Sequence, residues 1–194
     1  MLWPFDAKSP WQVSSTETVY SNPWIDLVHS EVITPGGNPG IYGKVKFKNL
    51  ALGVVAVEDD LSIWLVGQYR FPLGLYSWEI PEGGGAQNEP PLHAIQRELL
   101  EETGLKALNW RIMLTLHLSN SVSDELALIY LATGLCLGES QPDDTERIHV
   151  MKAPFSEVYQ AVLEGRITDA MSVAGILRLA LLMGSGWKPE DEAQ

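Results

Sequence analysis

Apolar and polar positions alternate over short runs in the first quarter of the chain. Residues 11 to 48 hold "WQVSSTETVY", "WIDLVHSEVI" and "IYGKVKF", separated by "SNP" and "TPGGNPG", whose Gly, Pro and Asn read as turns. These runs predict a small sheet or arm. "ALGVVAVEDDLSIWLVGQYR" (51 to 70) then gives two apolar strands around an Asp59-Asp60 turn, read as a hairpin. "WRIMLTLHL" and "LALIYLAT" predict two more strands joined by the polar loop "SNSVSDE", and a second polar loop, "GESQPDDTER", leads into a strand at "IHVMKAPF". Helical spacing appears in three places. One helix ends near Thr103 with Gly104 as its stop, after a flexible loop at Gly83 to Gly85 and a start at Pro90 and Pro91, where no backbone donor is lost. The others lie near 155 to 164 and 169 to 183, the last capped by Thr168 or Asp169. "PEDEAQ" reads as a frayed tail.

The 194 residues suit one sizeable domain plus an appendage. With 45% apolar and 20% charged residues the chain reads as globular and folded. A formal charge of −12 excludes non-specific nucleic-acid binding, which needs many Lys and Arg on phosphates; an acidic protein handles phosphates better through a bound cation. The single Cys136 cannot form an internal disulfide, and "MLWPFDAKSPW" lacks the basic start and apolar run of a secretion signal, so the expected location is cytoplasmic. No membrane partner is expected either, since the most apolar segment, "AGILRLALLM", is too short to span a bilayer and contains Arg178.

One stretch changes this bland picture. In "IPEGGGAQNEPPLHAIQRELLEETGL" (80 to 105), Glu98, Glu101 and Glu102 are three and four residues apart. At about 100° per residue, Leu92, Ile95 and Leu99 share one stripe, Glu102 falls beside it, and Glu98 and Glu101 follow further round. Arg97, four residues before Glu101, can pair with it, which leaves Glu98 and Glu102 with no cationic neighbour on the helix. Carboxylates crowded near a buried surface either take up protons or share a cation, and hard oxygen ligands favour Mg²⁺ or Mn²⁺. Alone, such a cluster is no more than a solvated acidic face.

The wider pattern is more specific. Gly83, five residues, Glu89, seven residues, then Arg97-Glu98-Leu99-Leu100-Glu101-Glu102-Thr103-Gly104-Leu105 agrees at every fixed position with the signature of the Nudix hydrolases, so the sequence resembles that family. The resemblance implies divalent-metal hydrolysis of a nucleoside diphosphate linked to another group. It also implies an α/β fold, an α/β/α sandwich around a mixed sheet, over residues 49 to 187. Residues 1 to 48 would be the β arm, and 188 to 194 the tail. Metal ligands are implied at Glu98 and Glu102, with Glu101 as a further ligand or water orienter and the backbone carbonyl of Glu82 beside them. Arg97 would be positional, and Glu89 would support the ligands from behind.

"VGQYRFPLGLYSWEIPEGG" (66 to 84) looks like the ADP-ribose and ADP-sugar pyrophosphatase branch. There the Arg of "QYR" reaches the substrate's phosphates, which points to Arg70; a planar guanidinium suits a diphosphate. Glu79 could belong to the ligand shell or be structural. The branch pairs as homodimers through its N-terminal region and places aromatic side chains around the nucleobase, with Trp11 and Tyr42 the candidates here and Trp24 and Tyr20 in reserve. Asn120 and Ser121 stand where the branch often has Pro-Gly, and Glu82 where it often has Ala. Both departures leave the sugar open among ADP-ribose, GDP-mannose and other nucleotide sugars. For the general base the order is Glu146, Asp144, then Glu125, since relatives often carry that acid on a late loop. A Nudix-like sensor that binds without cleaving would have lost box acids or gained a DNA-binding segment; this chain shows neither. A dinucleoside polyphosphate hydrolase is disfavoured by the 66 to 84 segment and the arm.

Overall fold

A computed structural model describes residues 8–86, 88–138 and 148–192. The described residues divide into two compact units, those up to residue 48 with 119–125, and those of 49–118 with those from 126 onward. In the first, β1 (Gln12–Ser21), β2 (Ile25–Ile33) and β3 (Pro39–Phe47) form an antiparallel sheet in that order. The turn between β1 and β2 forms because Asn22 Oδ1 accepts the N–H groups of Trp24 and Ile25 at 2.9 and 2.8 Å. The loop 119–125 closes on β3: Val45 N–H donates to Val122 O at 2.9 Å and Phe47 N–H to Asp124 Oδ1 at 3.0 Å. The arm expected at 1 to 48 thus includes a segment from the middle of the chain.

The second unit holds two sheets. β4 (Asn49–Ala56), β7 (Glu82–Ala86), β8 (Leu105–His117) and β9 (Leu126–Leu137) make a mixed sheet ordered β7-β4-β9-β8, with β4 and β9 parallel. β5 (Ser62–Arg70), β6 (Leu75–Glu79) and β10 (His149–Pro154) make an antiparallel sheet ordered β10-β5-β6. The expected hairpin at 51 to 70 is therefore corrected. A single bridge, Val57 to Ile63, joins the two runs at the turn, and β4 and β5 then part into different sheets. The physical reason is that β4 is buried on both faces, so its apolar residues are used by two layers rather than by a hairpin partner.

Alternation along β4 separates those layers. Leu52, Val54 and Ala56 pack with Ala94, Ile95 and Leu99 of helix α1 (Pro91–Thr103). Val55 and Val57 pack with Ile80, Ile63 and Leu65 and with Ile176 and Leu179 of α3 (Ala170–Gly184), beside α2 (Phe155–Leu163). The result is the expected α/β/α sandwich with a mixed sheet. α1 begins at Pro91 after Pro90 and ends where Gly104, at φ 72°, donates its N–H to Leu100 O at 2.9 Å. Burial of Ile95 and Leu99 contributes roughly 1.5–3 kcal/mol each and fixes the rotation of the helix, hence the direction of its acids.

Two further expectations change. Gly83 to Gly85 are strand, not loop: β7 pairs antiparallel with β4 through Gly83 to Leu52 and Gly85 to Leu50. Residues 189 to 192 are a docked turn of 3₁₀ helix rather than a frayed end, with Glu192 accepting from Arg111 Nε at 2.7 Å and from Trp187 Nε1 at 2.7 Å. Among the described residues no helix is long and apolar enough to cross a membrane.

Candidate active site

The box helix presents its acids over β7. Arg97 Nη1 lies 2.8 Å from Glu101 Oε2, as the spacing implied, but also 2.9 Å from Glu98 Oε1, while Nη2 is 3.6 Å from Glu89. Glu98 therefore has the cationic neighbour that helical spacing denied it: the guanidinium is long enough to fold back onto the adjacent residue. Burial alone would lower the Arg97 pKa, but Glu98 and Glu101 outweigh it and the group is held above its ordinary value. Glu102 Oε2 accepts the backbone N–H of Glu82 at 3.0 Å, which fixes the helix to the start of β7.

The glycine at the head of the box has a steric explanation. A Cβ on Gly83 would fall on the Glu98 carboxyl, 2.5 and 2.6 Å from its oxygens. A glycine inside a strand commonly marks such a close approach. Glu98, Glu101 and Glu102 offer hard carboxylate oxygens, the donor type that Mg²⁺ and Mn²⁺ favour.

A second group of charges lies at the ends of β5, β6 and β7. Arg70 Nε is 3.1 and 3.0 Å from the two oxygens of Glu79, and its Nη2 is 2.6 Å from Glu79 Oε2 and 2.6 Å from Glu82 Oε1. Glu79 is fully buried, while Arg70 keeps about a third of its side chain exposed, at 31%. Burial opposes the Arg70 charge, but Glu79 and Glu82 outweigh it and raise its pKa. Burial, then the charges of Asp169 and Glu79, push the Glu82 carboxyl well above the usual carboxylate range; Arg70 opposes them. The Glu82 side chain thus has a place of its own, beyond the backbone carbonyl that the sequence singled out. Asp169 was legible only as a helix cap, which it is, accepting the Ser172 N–H at 2.7 Å. Nothing in its local sequence connects it to residues 70, 79 and 82.

In the first unit, Trp11 and Tyr42 sit together, rings edge to face at 5.4 Å, and the Tyr42 hydroxyl donates to Ser121 O at 2.7 Å. Both are exposed, as are Tyr20 and Trp24. Glu125, third choice for the general base, is half-buried, and burial raises its pKa. Glu146 and Asp144 lie outside the described residues.

A mixed-sheet sandwich that lays a glycine strand under an acid-bearing helix defines a hydrolase of the Nudix type, and comparison with known proteins agrees. The Nudix domain model matches residues 48–171, and that of the nucleoside diphosphate sugar hydrolase N-terminal domain matches residues 11–45. The chain is 34% identical over 175 residues to an ADP-ribose pyrophosphatase of Mycobacterium tuberculosis (strain ATCC 25618 / H37Rv), covering 88% of this chain and 84% of that one. It is 31% identical over 167 residues to an ADP-ribose pyrophosphatase of Bacillus subtilis (strain 168), covering 85% and 90%. A crystal structure described as an ADP compounds hydrolase shares the fold, with a TM-score of 0.81 at 20% identity over 94% of this chain and 99% of that one. The chain belongs to the Nudix hydrolase family.

Proposed function

We propose that the protein hydrolyses the diphosphate of a nucleoside diphosphate sugar, with ADP-ribose as its first substrate, releasing AMP and ribose 5-phosphate. The observation that carries this reading is the complete box on α1, held over β7 by the Glu82 N–H to Glu102 hydrogen bond, beside an arginine at the strand end. The two ADP-ribose pyrophosphatases that match most of the chain support the choice of sugar.

Mg²⁺ or Mn²⁺ held by Glu98, Glu101 and Glu102, with the Glu82 carbonyl, would neutralise the phosphoryl oxygens and lower the pKa of a bound water. Arg97 orients Glu98 and Glu101 from behind. The Glu82 N–H holds one oxygen of Glu102, so that carboxylate cannot swing away. Arg70, held by Glu79 and Glu82, keeps about a third of its side chain exposed, at 31%, and a planar guanidinium suits the oxygens of a diphosphate. The Glu146 carboxylate takes the proton of the attacking water. The new bond joins that oxygen to one phosphorus, the bridging P–O bond breaks, and the second phosphate leaves. Trp11 and Tyr42, already in contact with each other, offer aromatic surface to the base.

Incubation with Mg²⁺ and a panel of ADP-ribose, GDP-mannose, other nucleotide sugars, dinucleoside polyphosphates and nucleoside triphosphates tests the reading. Released monophosphate should appear with ADP-ribose and be lost on chelation. Cleavage confined to triphosphates or dinucleoside polyphosphates removes the substrate class; tight binding with no turnover favours a sensor.

The first unit supports a homodimer. Val13, Val19, Trp24 and Ile41 are each more than half exposed there, and every residue of β1, an edge strand, is exposed, so this unit offers apolar side chains and a strand edge that a second copy would cover. Light scattering at micromolar concentration should return twice the chain mass, and a monomer would end the proposal. The lone thiol, Cys136, is exposed and free, which supports a reducing compartment, the cytoplasm.

A further inference from the structure

The geometry points to a second divalent-cation site, apart from the box acids, formed by Glu79, Glu82 and Asp169. These come from the end of β6, the start of β7 and the residue capping α3, and each offers a carboxylate oxygen within 4.8 Å of the other two. The cluster has a specific vacancy in its hydrogen bonding. Glu82 Oε1 is taken by Arg70, whereas Glu82 Oε2 is sealed from solvent and has no partner among the described residues. A buried carboxylate oxygen is costly to leave unmatched, so it asks for a proton or a cation. Charge decides between them. A proton on Glu82 would leave Glu79 and the partly exposed Asp169 still facing one guanidinium, whereas one divalent ion is shared by all three carboxylates. Glu102, joined to the Glu82 backbone, adds to the negative field rather than relieving it.

The donor set selects the ion. All the ligands are hard oxygens, with no His or Cys among them, which suits Mg²⁺, Mn²⁺ or Ca²⁺. Asp169 uses Oδ2 to accept the Ser172 N–H, which leaves Oδ1 for a ligand, and Glu79 is buried in a fixed position by Arg70. An ion there would tie the ends of β6 and β7 to the N-terminus of α3. This site does not depend on the substrate proposed above or on the box acids binding metal.

The test counts Mn²⁺ bound to the full-length protein by electron paramagnetic resonance of the free ion, and follows the midpoint of thermal unfolding with and without Mn²⁺. A Glu98→Gln, Glu102→Gln double variant should keep one Mn²⁺ per chain and still be stabilised by it. Adding Asp169→Asn should weaken that remaining site by at least ~10- to 100-fold, the loss caused even by removing a group that only orients a ligand, and abolish the stabilisation. Asn caps a helix as well as Asp does, so this change spares α3; Glu82→Gln, the same shape without the charge, should have the same effect on Mn²⁺ and covers the case in which Asp169→Asn does not fold. Loss of all Mn²⁺ from the double variant, with wild-type binding intact, overturns this site and leaves the box reading standing. Unchanged Mn²⁺ affinity after either Asp169→Asn or Glu82→Gln also overturns it. Equal binding by wild type and double variant, lost on Asp169→Asn, supports this site and sinks the metal role of the box instead.

Discussion

Glu98→Gln and Glu102→Gln should each lower turnover by several orders of magnitude and weaken Mg²⁺ binding at the box. Each replacement removes one charge from a site whose task is to hold a dication against a diphosphate, and hard-cation affinity follows the charge count of the ligands. The fold should tolerate both. Gln at 102 still offers an oxygen to the Glu82 N–H, and Gln at 98 fits the space that Gly83 leaves open. Arg97 loses one of three acidic partners in Glu98→Gln and keeps Glu101 at 2.8 Å and Glu89 at 3.6 Å. Calorimetric Mg²⁺ titration beside steady-state rates, with unfolding midpoints as the control for folding, reads the effect. Unchanged metal binding in both variants, with Asp169 intact or replaced, would remove the box acids from the metal site.

The helix that carries these acids could be read from sequence because its signals are local: prolines at one end, a glycine in the left-handed region at the other, and Ile95 and Leu99 one turn apart and fully buried. Even there the stripe was displaced, since Leu92 is exposed and Ala94 is the residue that packs against β4. What failed was whatever depended on a partner distant in sequence. The glycines of β7 have no side chains to alternate, so their strand is defined only by β4 on one side and by Glu98 and Ala94 crowding from α1 on the other. β4 and β5 flank a genuine turn, with Leu61 N–H bonded to Glu58 O at 2.9 Å, yet the parallel pairing of β4 with β9 lies some 75 residues away and overrides the hairpin. The Arg70 cluster gathers residues 70, 79, 82 and 169, and the sequence pointed to the backbone carbonyl of Glu82 while its carboxylate, buried against Arg70, had no local signal.

Glu146→Gln should behave unlike either ligand variant. A general base contributes on the order of 10²- to 10⁴-fold, so turnover should fall by that amount while metal affinity and much of the substrate affinity persist. Glu125→Gln is the internal comparison. Burial raises the Glu125 pKa, so the folded chain binds that proton more tightly than the unfolded chain does. Ionising Glu125 therefore costs stability as pH rises from the ordinary carboxylate value through the raised one, and the cost is absent below the ordinary value. Glu125→Gln should then raise the unfolding midpoint at neutral pH, leave it unchanged in acid, and spare turnover if Glu146 is the base. Steady-state rates of both variants, each with a Mg²⁺ titration, decide the assignment. Near-normal turnover in Glu146→Gln discards it and moves the search to Asp144, Glu125 or Glu101. A Glu125→Gln variant that is more stable at neutral pH but has lost 10²-fold or more in rate names Glu125 in its place.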